Sequence, residues 1–313
     1  MLTLLRLNGR LFNALDRRRE GTEARKIIAT LITSSFFVAL LVIELNRLGW
    51  LPSSMSGLPT NHFYAFDVAF TLFLIVEVVE LVFGLATSVA DTLGKQFEIF
   101  SLILLRQSFK ELVYFEEPIS WSLDDEAARQ AVQFIVSDAV GALLVFVIIG
   151  VYYKLQRHQP ITETEDEKRH FVLTKKLLAN GLLLIFAGLG GYAGLTFVTE
   201  GTAIPVFNVF YTVLIFSDVL IVLISIRYGA EYHIVFRNFG FAASTVMIRL
   251  ALAAPHYVDA ALGIGAALFA VGLTLAYNYV TPAVEQSERL NLEKKSIEHA
   301  VAPARSGDDA PSL

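Results

Sequence analysis

Eight stretches of the chain stay apolar for close to 20 residues, the length a helix needs to cross bilayer hydrocarbon while bonding every backbone polar group within itself. They run over 27–45, 64–88, 97–115, 131–153, 177–198, 204–226, 238–255 and 258–280. Pro205 opens the sixth, where a first helical turn needs no N–H, and Pro255 stops the seventh. Leu4, Leu7, Leu11 and Leu15 recur at helical spacing among Arg6, Arg10 and Arg17 to Arg19, the pattern of a helix lying on a membrane surface. No small-residue cleavage site follows them, so this segment is expected to stay. The predicted fold is all-α: a polytopic membrane protein with eight transmembrane helices. Its segments are an amphipathic N-terminal stretch (1–26), four helices (27–153), a linker (154–176), four more helices (177–280) and a polar tail (281–313), expected to be disordered from Ala302 on.

Lys and Arg orient the chain. With the N-terminus in the cytoplasm, 20 of the 25 basic residues lie in cytoplasmic segments; Arg47, Lys110 and Arg129 lie outside, and Arg106 and Arg249 fall within spans. This satisfies the positive-inside rule with both termini cytoplasmic, in a membrane of the bacterial inner type.

Composition narrows the function classes. The chain is 55% hydrophobic and 18% charged, with mean hydropathy +0.57, too little polar residue to coat a soluble core. Cysteine is absent, which removes disulfides, thiolate nucleophiles and Cys-ligated metal centres. A net charge of −5 argues against a nucleic-acid partner.

The two sets of four helices resemble each other. Phe70 to Glu77 matches Tyr211 to Asp218 with an acid at the same step; Ser101 and Arg106 match Ser244 and Arg249; Asp138-Ala139 with Gly141 matches Asp259-Ala260 with Gly263. Four spans per unit is even, so the copies share one orientation, a parallel 4+4 repeat.

Charges inside spans are the candidate chemistry. Counted from cytoplasmic turns near Thr92 and His233, Glu77 and Arg106, and likewise Asp218 and Arg249, lie about 15 residues along their helices, roughly 20 Å from the turn. Each hairpin therefore predicts its own ion pair, since an unpaired charge at mid-bilayer costs about 3 kcal/mol on insertion scales, and the Arg fork suits a two-bond grip on a carboxylate. Glu80, one turn from Glu77, is a surplus acid for a proton or small cation. Glu44, Asp67, Asp138 and Asp259 read as solvated carboxylates near the outer ends, and Glu98 as a snorkelling one near the inner end.

The run Phe70 to Glu77 with Glu80, followed by Gln96-Phe97-Glu98-Ile99-Phe100-Ser101-Leu102, resembles the second and third helices of voltage-sensor-type four-helix membrane domains; Asn238-Phe239-Gly240-Phe241 is a weaker echo. The resemblance implies a four-helix shape in tandem. It implies no voltage sensing, because 131–153 and 258–280 lack the arginines of that family's fourth helix.

Other signals carry less. All six histidines fall in loops, at ends or in the tail; His62 and His256 could meet Glu116, Glu117, Asp124 or Asp125 outside and bind a metal, but without ligand spacing they read as solvated. The outer loop Gln107 to Gln130, with Tyr114, Phe115 and Trp121, offers a surface for a protein partner, and Ser122 with Asp125 and Glu126 can cap the helix after it. Gly190 to Gly194 spells GxxxG, read as close helix packing. No nucleophile with a base, nucleotide loop or cofactor motif occurs, so no enzyme or cofactor is expected. The expected function is a transporter or channel-like protein for a proton or small cation working through Glu77, Glu80, Arg106, Asp218 and Arg249. The alternative is a non-transporting scaffold or accessory subunit in the lipid bilayer.

Overall fold

A computed structural model describes residues 2–52, 57–85, 89–119, 125–156, 165–200, 204–226 and 232–301. The described residues form nine α-helices and no strand: α1 (Leu2–Glu20), α2 (Thr22–Arg47), α3 (Tyr64–Gly84), α4 (Val89–Lys110), α5 (Glu126–Leu155), α6 (Glu165–Glu200), α7 (Val206–Ile226), α8 (Tyr232–Leu252) and α9 (Val258–Val301). A 3-10 turn, Glu111–Tyr114, follows α4.

Six helices, α2 and α5 to α9, are long and apolar enough to cross a membrane. The eight predicted stretches all fall on helices, yet α3 and α4 do not qualify on composition. Asp67, Glu77 and Glu80 interrupt α3, and Asp91, Lys95, Glu98, Arg106 and Lys110 interrupt α4. Helix boundaries also differ from the apolar boundaries. The second half of the 154–176 linker is already α6, and α9 runs past 280 to Val301 through charged sequence. A helix has no reason to stop where hydrophobicity stops, because its hydrogen bonds are internal. The last part of the tail, 302–313, and Trp121 with Asp124 lie outside the described residues.

Local chemistry sets the ends. Of the residues expected to cap α5, Asp125 does so, its Oδ1 accepting from the backbone N–H of Ala127 (3.0 Å) and Ala128 (3.3 Å), while Ser122 lies outside the described residues. Pro205 precedes α7 and accepts from Val209 N–H at 3.2 Å. At the α8–α9 connection Tyr257 takes φ +68°, a left-handed conformation uncommon for an aromatic residue, and turns the chain sharply after His256.

The two sets of four helices share both cores. One core joins Phe97, Phe100 and Leu104 of α4 and Val145 and Tyr152 of α5 to Phe241 and Ile248 of α8 and Ala266 and Ala270 of α9. The other joins Phe12 of α1 and Val78 and Val82 of α3 to Leu182 of α6 and Phe210 and Leu214 of α7. Helix α2 stands at the rim. It buries Ile43, meets α3 through Phe36 on Phe66, and exposes Phe37, Val38 and Leu41. Helix α1 packs along α6, with Asn180 donating to the Asn8 backbone carbonyl (3.2 Å) and Lys176 to Asn13 Oδ1 (2.7 Å). Its Leu7, Leu11 and Leu15 stay exposed, the stripe predicted to face lipid.

Close helix approach occurs at glycines other than the expected ones. A Cβ on Gly263 of α9 would lie 2.0 Å from the Phe100 ring of α4, and one on Gly141 of α5 would lie 2.7 Å from Ala260 Cβ of α9. A Cβ on Gly188, Gly190, Gly191 or Gly194 would meet nothing within 4 Å. The GxxxG of α6 therefore presents an open face, contrary to the packing expected of it. Spacing reports that a face is smooth and leaves open what lies against it.

Candidate functional site

Glu77 sits on α3 and Arg106 on the antiparallel α4, 3% and 5% exposed, with Arg106 Nε 3.8 Å from Glu77 Oε2. Asp218 on α7 and Arg249 on α8 repeat the arrangement, with Nε 3.5 Å from Oδ2 and Arg249 fully buried. The helices turn their polar residues inward because the opposite faces are apolar: Val68 and Ile75 on α3 and Leu102, Leu105 and Phe109 on α4 are exposed. The structure thus brings together both acid–arginine pairs that the sequence places at matched heights.

The contacts are looser than the two-bond fork expected. Charge-assisted N–H···O bonds run about 2.7–2.9 Å, and both pairs stand well beyond that. Both Glu77 oxygens, Arg106 Nε, Asp218 Oδ2 and all three Arg249 nitrogens are buried without a hydrogen-bond partner. The two pairs also differ. Arg106 Nη1 donates to the Phe70 carbonyl at 2.8 Å, which gives that guanidinium a second anchor, whereas no Arg249 nitrogen has a hydrogen-bond acceptor among the described residues.

Tyr211 joins the two pairs. It is 3% exposed on α7 and lies within electrostatic range of Arg106, Arg249 and Glu77 together. Sequence reasoning missed it, although the match between the two stretches sets Tyr211 against Phe70, the residue whose carbonyl holds Arg106. An aromatic exchanged for one bearing a hydroxyl, one helix away from two buried arginines, was the available signal.

Glu80 is placed differently from Glu77. Its side chain is 48% exposed and faces Arg19 of α1 at 3.8 Å, so the surplus acid meets a base from the N-terminal helix. Both residues line a cavity of about 830 Å³ between α1, α2, α3 and α4, which also touches Lys95, Gln96 and Glu98 and extends along α3 to Phe70. Glu98 accepts from the Tyr153 hydroxyl at 2.8 Å, which anchors it to α5.

At the opposite end of the bundle two histidines are engaged, not merely solvated. His62 Nδ1 lies 2.8 Å from Glu117 Oε2 and its Nε2 3.0 Å from Glu44 Oε2, and Arg47 stands 3.7 Å from the same Glu117 oxygen. The hydrogen bond with Glu117 raises the His62 pKa above its ordinary 6.5, and the charges of Glu117 and Glu44 add to this against the opposing effect of burial. His256 meets Glu111 and Asp138, neither of which was among the acids anticipated for it. Asp138 and Asp259, expected to be solvated, are 0% and 1% exposed. The reason is tertiary: α5 and α9 pack against each other at Gly141, which carries both acids off the surface. Asp67 is paired with Lys110.

No protein-family model, curated protein or solved structure matches the chain.

Proposed function

We propose that this is a transporter or channel-like protein that passes a proton or small cation across a bacterial-type inner membrane, with Glu77 as the working carboxylate. All eight helices α2 to α9 cross the bilayer in this reading, as a parallel 4+4 repeat with both termini cytoplasmic. At 21 and 22 residues α3 and α4 are long enough at about 1.5 Å per residue. Their charged residues Glu77 and Arg106 point at protein while apolar side chains face outward, which reconciles crossing with a composition that falls short.

The observation that carries the function is the difference between the two pairs. A carboxylate that takes up a proton or cation stops neutralising its arginine, and a buried guanidinium without an acceptor is strongly unfavourable. Arg106 keeps the Phe70 carbonyl when Glu77 changes state, so the first half tolerates the cycle. Arg249 has no such second acceptor, so Asp218 stays ionised and holds α7 to α8. The cavity beside Phe70 and Glu80 supports access from the α1 side, with Glu80 and Arg19 at its mouth. Tyr211, within electrostatic range of both arginines, couples the working pair to the fixed one.

Purified protein in proteoliposomes, with a pH-sensitive or cation-sensitive dye inside, tests this. Flux is expected in the wild type and lost in Glu77→Gln, with Glu80→Gln reduced. Flux at the wild-type rate in a folded Glu77→Gln variant would remove Glu77 from the mechanism. The exposed Tyr114 and Ile119 of the outer loop favour a second reading, an accessory subunit that docks a partner there. A wild type that moves no ion and purifies with a stoichiometric partner would replace transport with that role.

A further inference from the structure

The outer end of the α5–α9 contact holds a second cluster that the ion pathway does not use. Asp138 of α5, Asp259 of α9 and His256 of the turn before α9 each present a ligand atom, and these atoms all lie within 4.8 Å of one another. Asp138 is completely buried, yet neither of its carboxylate oxygens has a hydrogen-bond partner. Asp259 uses Oδ1 to accept from the N–H of Ala260 at 2.7 Å, which fixes the carboxylate and leaves the buried Oδ2 unbonded. His256 Nδ1 is likewise unbonded and stands 3.3 Å from Asp138 Oδ2. Three donor atoms in one buried space, each without a partner, are an unfavourable arrangement unless a cation or protons fill it.

The geometry of the imidazole favours a cation. Its Nε2 lies 3.3 Å from Glu111 Oε1, and its ring stacks on Phe134 with centroids 4.1 Å apart. With its proton on Nε2, the side that Glu111 faces, the imidazole leaves the Nδ1 lone pair on the side of Asp138. This is the carboxylate–histidine–metal relay by which proteins orient a ligating imidazole. Tetrahedral bonds of about 2.0–2.1 Å place neighbouring ligand atoms about 3.3–3.4 Å apart, and the Asp138–His256 separation already matches. Two carboxylates suit Mn²⁺ or Zn²⁺, and the imidazole disfavours Mg²⁺ and Ca²⁺.

We propose that Asp138, Asp259 and Nδ1 of His256 form a binding site for one divalent first-row transition-metal ion, with Glu111 as the positioning residue for the imidazole. The two aspartates are the pair that the sequence repeat equates, so the ion would tie α5 to α9 where the two sets of four helices meet.

Full-length protein in detergent, stripped with chelator, is titrated with Mn²⁺ alone, following loss of the free-ion electron paramagnetic resonance signal, and then with competing Zn²⁺ or Mg²⁺. One Mn²⁺ per chain is expected, displaced by Zn²⁺ and not by equimolar Mg²⁺, together with a higher unfolding temperature. Asp138→Asn and Asp259→Asn abolish the binding, and Glu111→Gln weakens it about 10–100-fold. The two Asp→Asn variants are measured separately, so that one folded variant suffices. Absence of stoichiometric binding up to millimolar Mn²⁺ or Zn²⁺ overturns the site, as does binding that survives in a folded Asp→Asn variant. Displacement by Mg²⁺ as effectively as by Zn²⁺ overturns the choice of metal.

Discussion

The two arginines at the centre of the molecule illustrate how little residue identity says about duty. Arg106 and Arg249 share a residue type, near-complete burial and an acid on the neighbouring helix, yet only Arg106 has a backbone carbonyl to fall back on. Neutralising the acid should therefore hurt the second pair more. Asp218→Asn is expected to destabilise by about 3 kcal/mol, the cost of breaking one side of a buried pair, and Glu77→Gln by clearly less. Thermal unfolding of the two variants in one detergent checks the ranking. Equal losses would mean that the Phe70 carbonyl gives Arg106 no real support. Both acids were legible in the sequence as charges inside apolar stretches. Tyr211 was not, because a tyrosine in an apolar helix is ordinary until its neighbours are known.

Helices were the easiest feature to anticipate and their faces the hardest. Apolar length placed α2 to α9, and Asp125 marked the start of α5. Glycine patterns misled, since smoothness favours close approach only if another helix arrives there. In α9 one does: Gly263→Ala would press a methyl into the Phe100 ring, where overpacking costs about 1–3 kcal/mol. In α6 none does among the described residues, so Gly190→Ala should leave the unfolding temperature unchanged or slightly raised, as alanine favours the helix. Melting curves showing Gly190→Ala to be the more damaging of the two would mean that the open α6 face is covered in the assembled protein.

On the scale of the whole molecule, the end of the bundle that holds His62 is closed by contacts between segments far apart in sequence. His62 is held between Glu44 of α2 and Glu117 of the loop after α4, and Asn61 donates to the Val113 and Phe115 carbonyls at 3.2 and 2.9 Å. The imidazolium is what these acids hold, so the His62 pKa is higher folded than unfolded. Its contribution is therefore complete below the unfolded value near 6.5 and fades as pH rises through the higher folded one. Unfolding temperature should fall over that interval in the wild type, and His62→Gln should remove that part of the pH dependence; a variant with an identical profile would assign the effect elsewhere.

The order of apolar stretches and the charges that fall inside them followed from sequence alone, because each depends on the one-dimensional cost of placing a residue in hydrocarbon. Tertiary structure decided which charges share a space. It sent Glu80 to Arg19, set Tyr211 within electrostatic range of both arginines, and brought Asp138, His256 and Asp259 together. These are contacts between helices whose rotation and neighbours no single helix specifies, since in a chain so evenly apolar many faces serve equally well against lipid and only mutual packing selects among them.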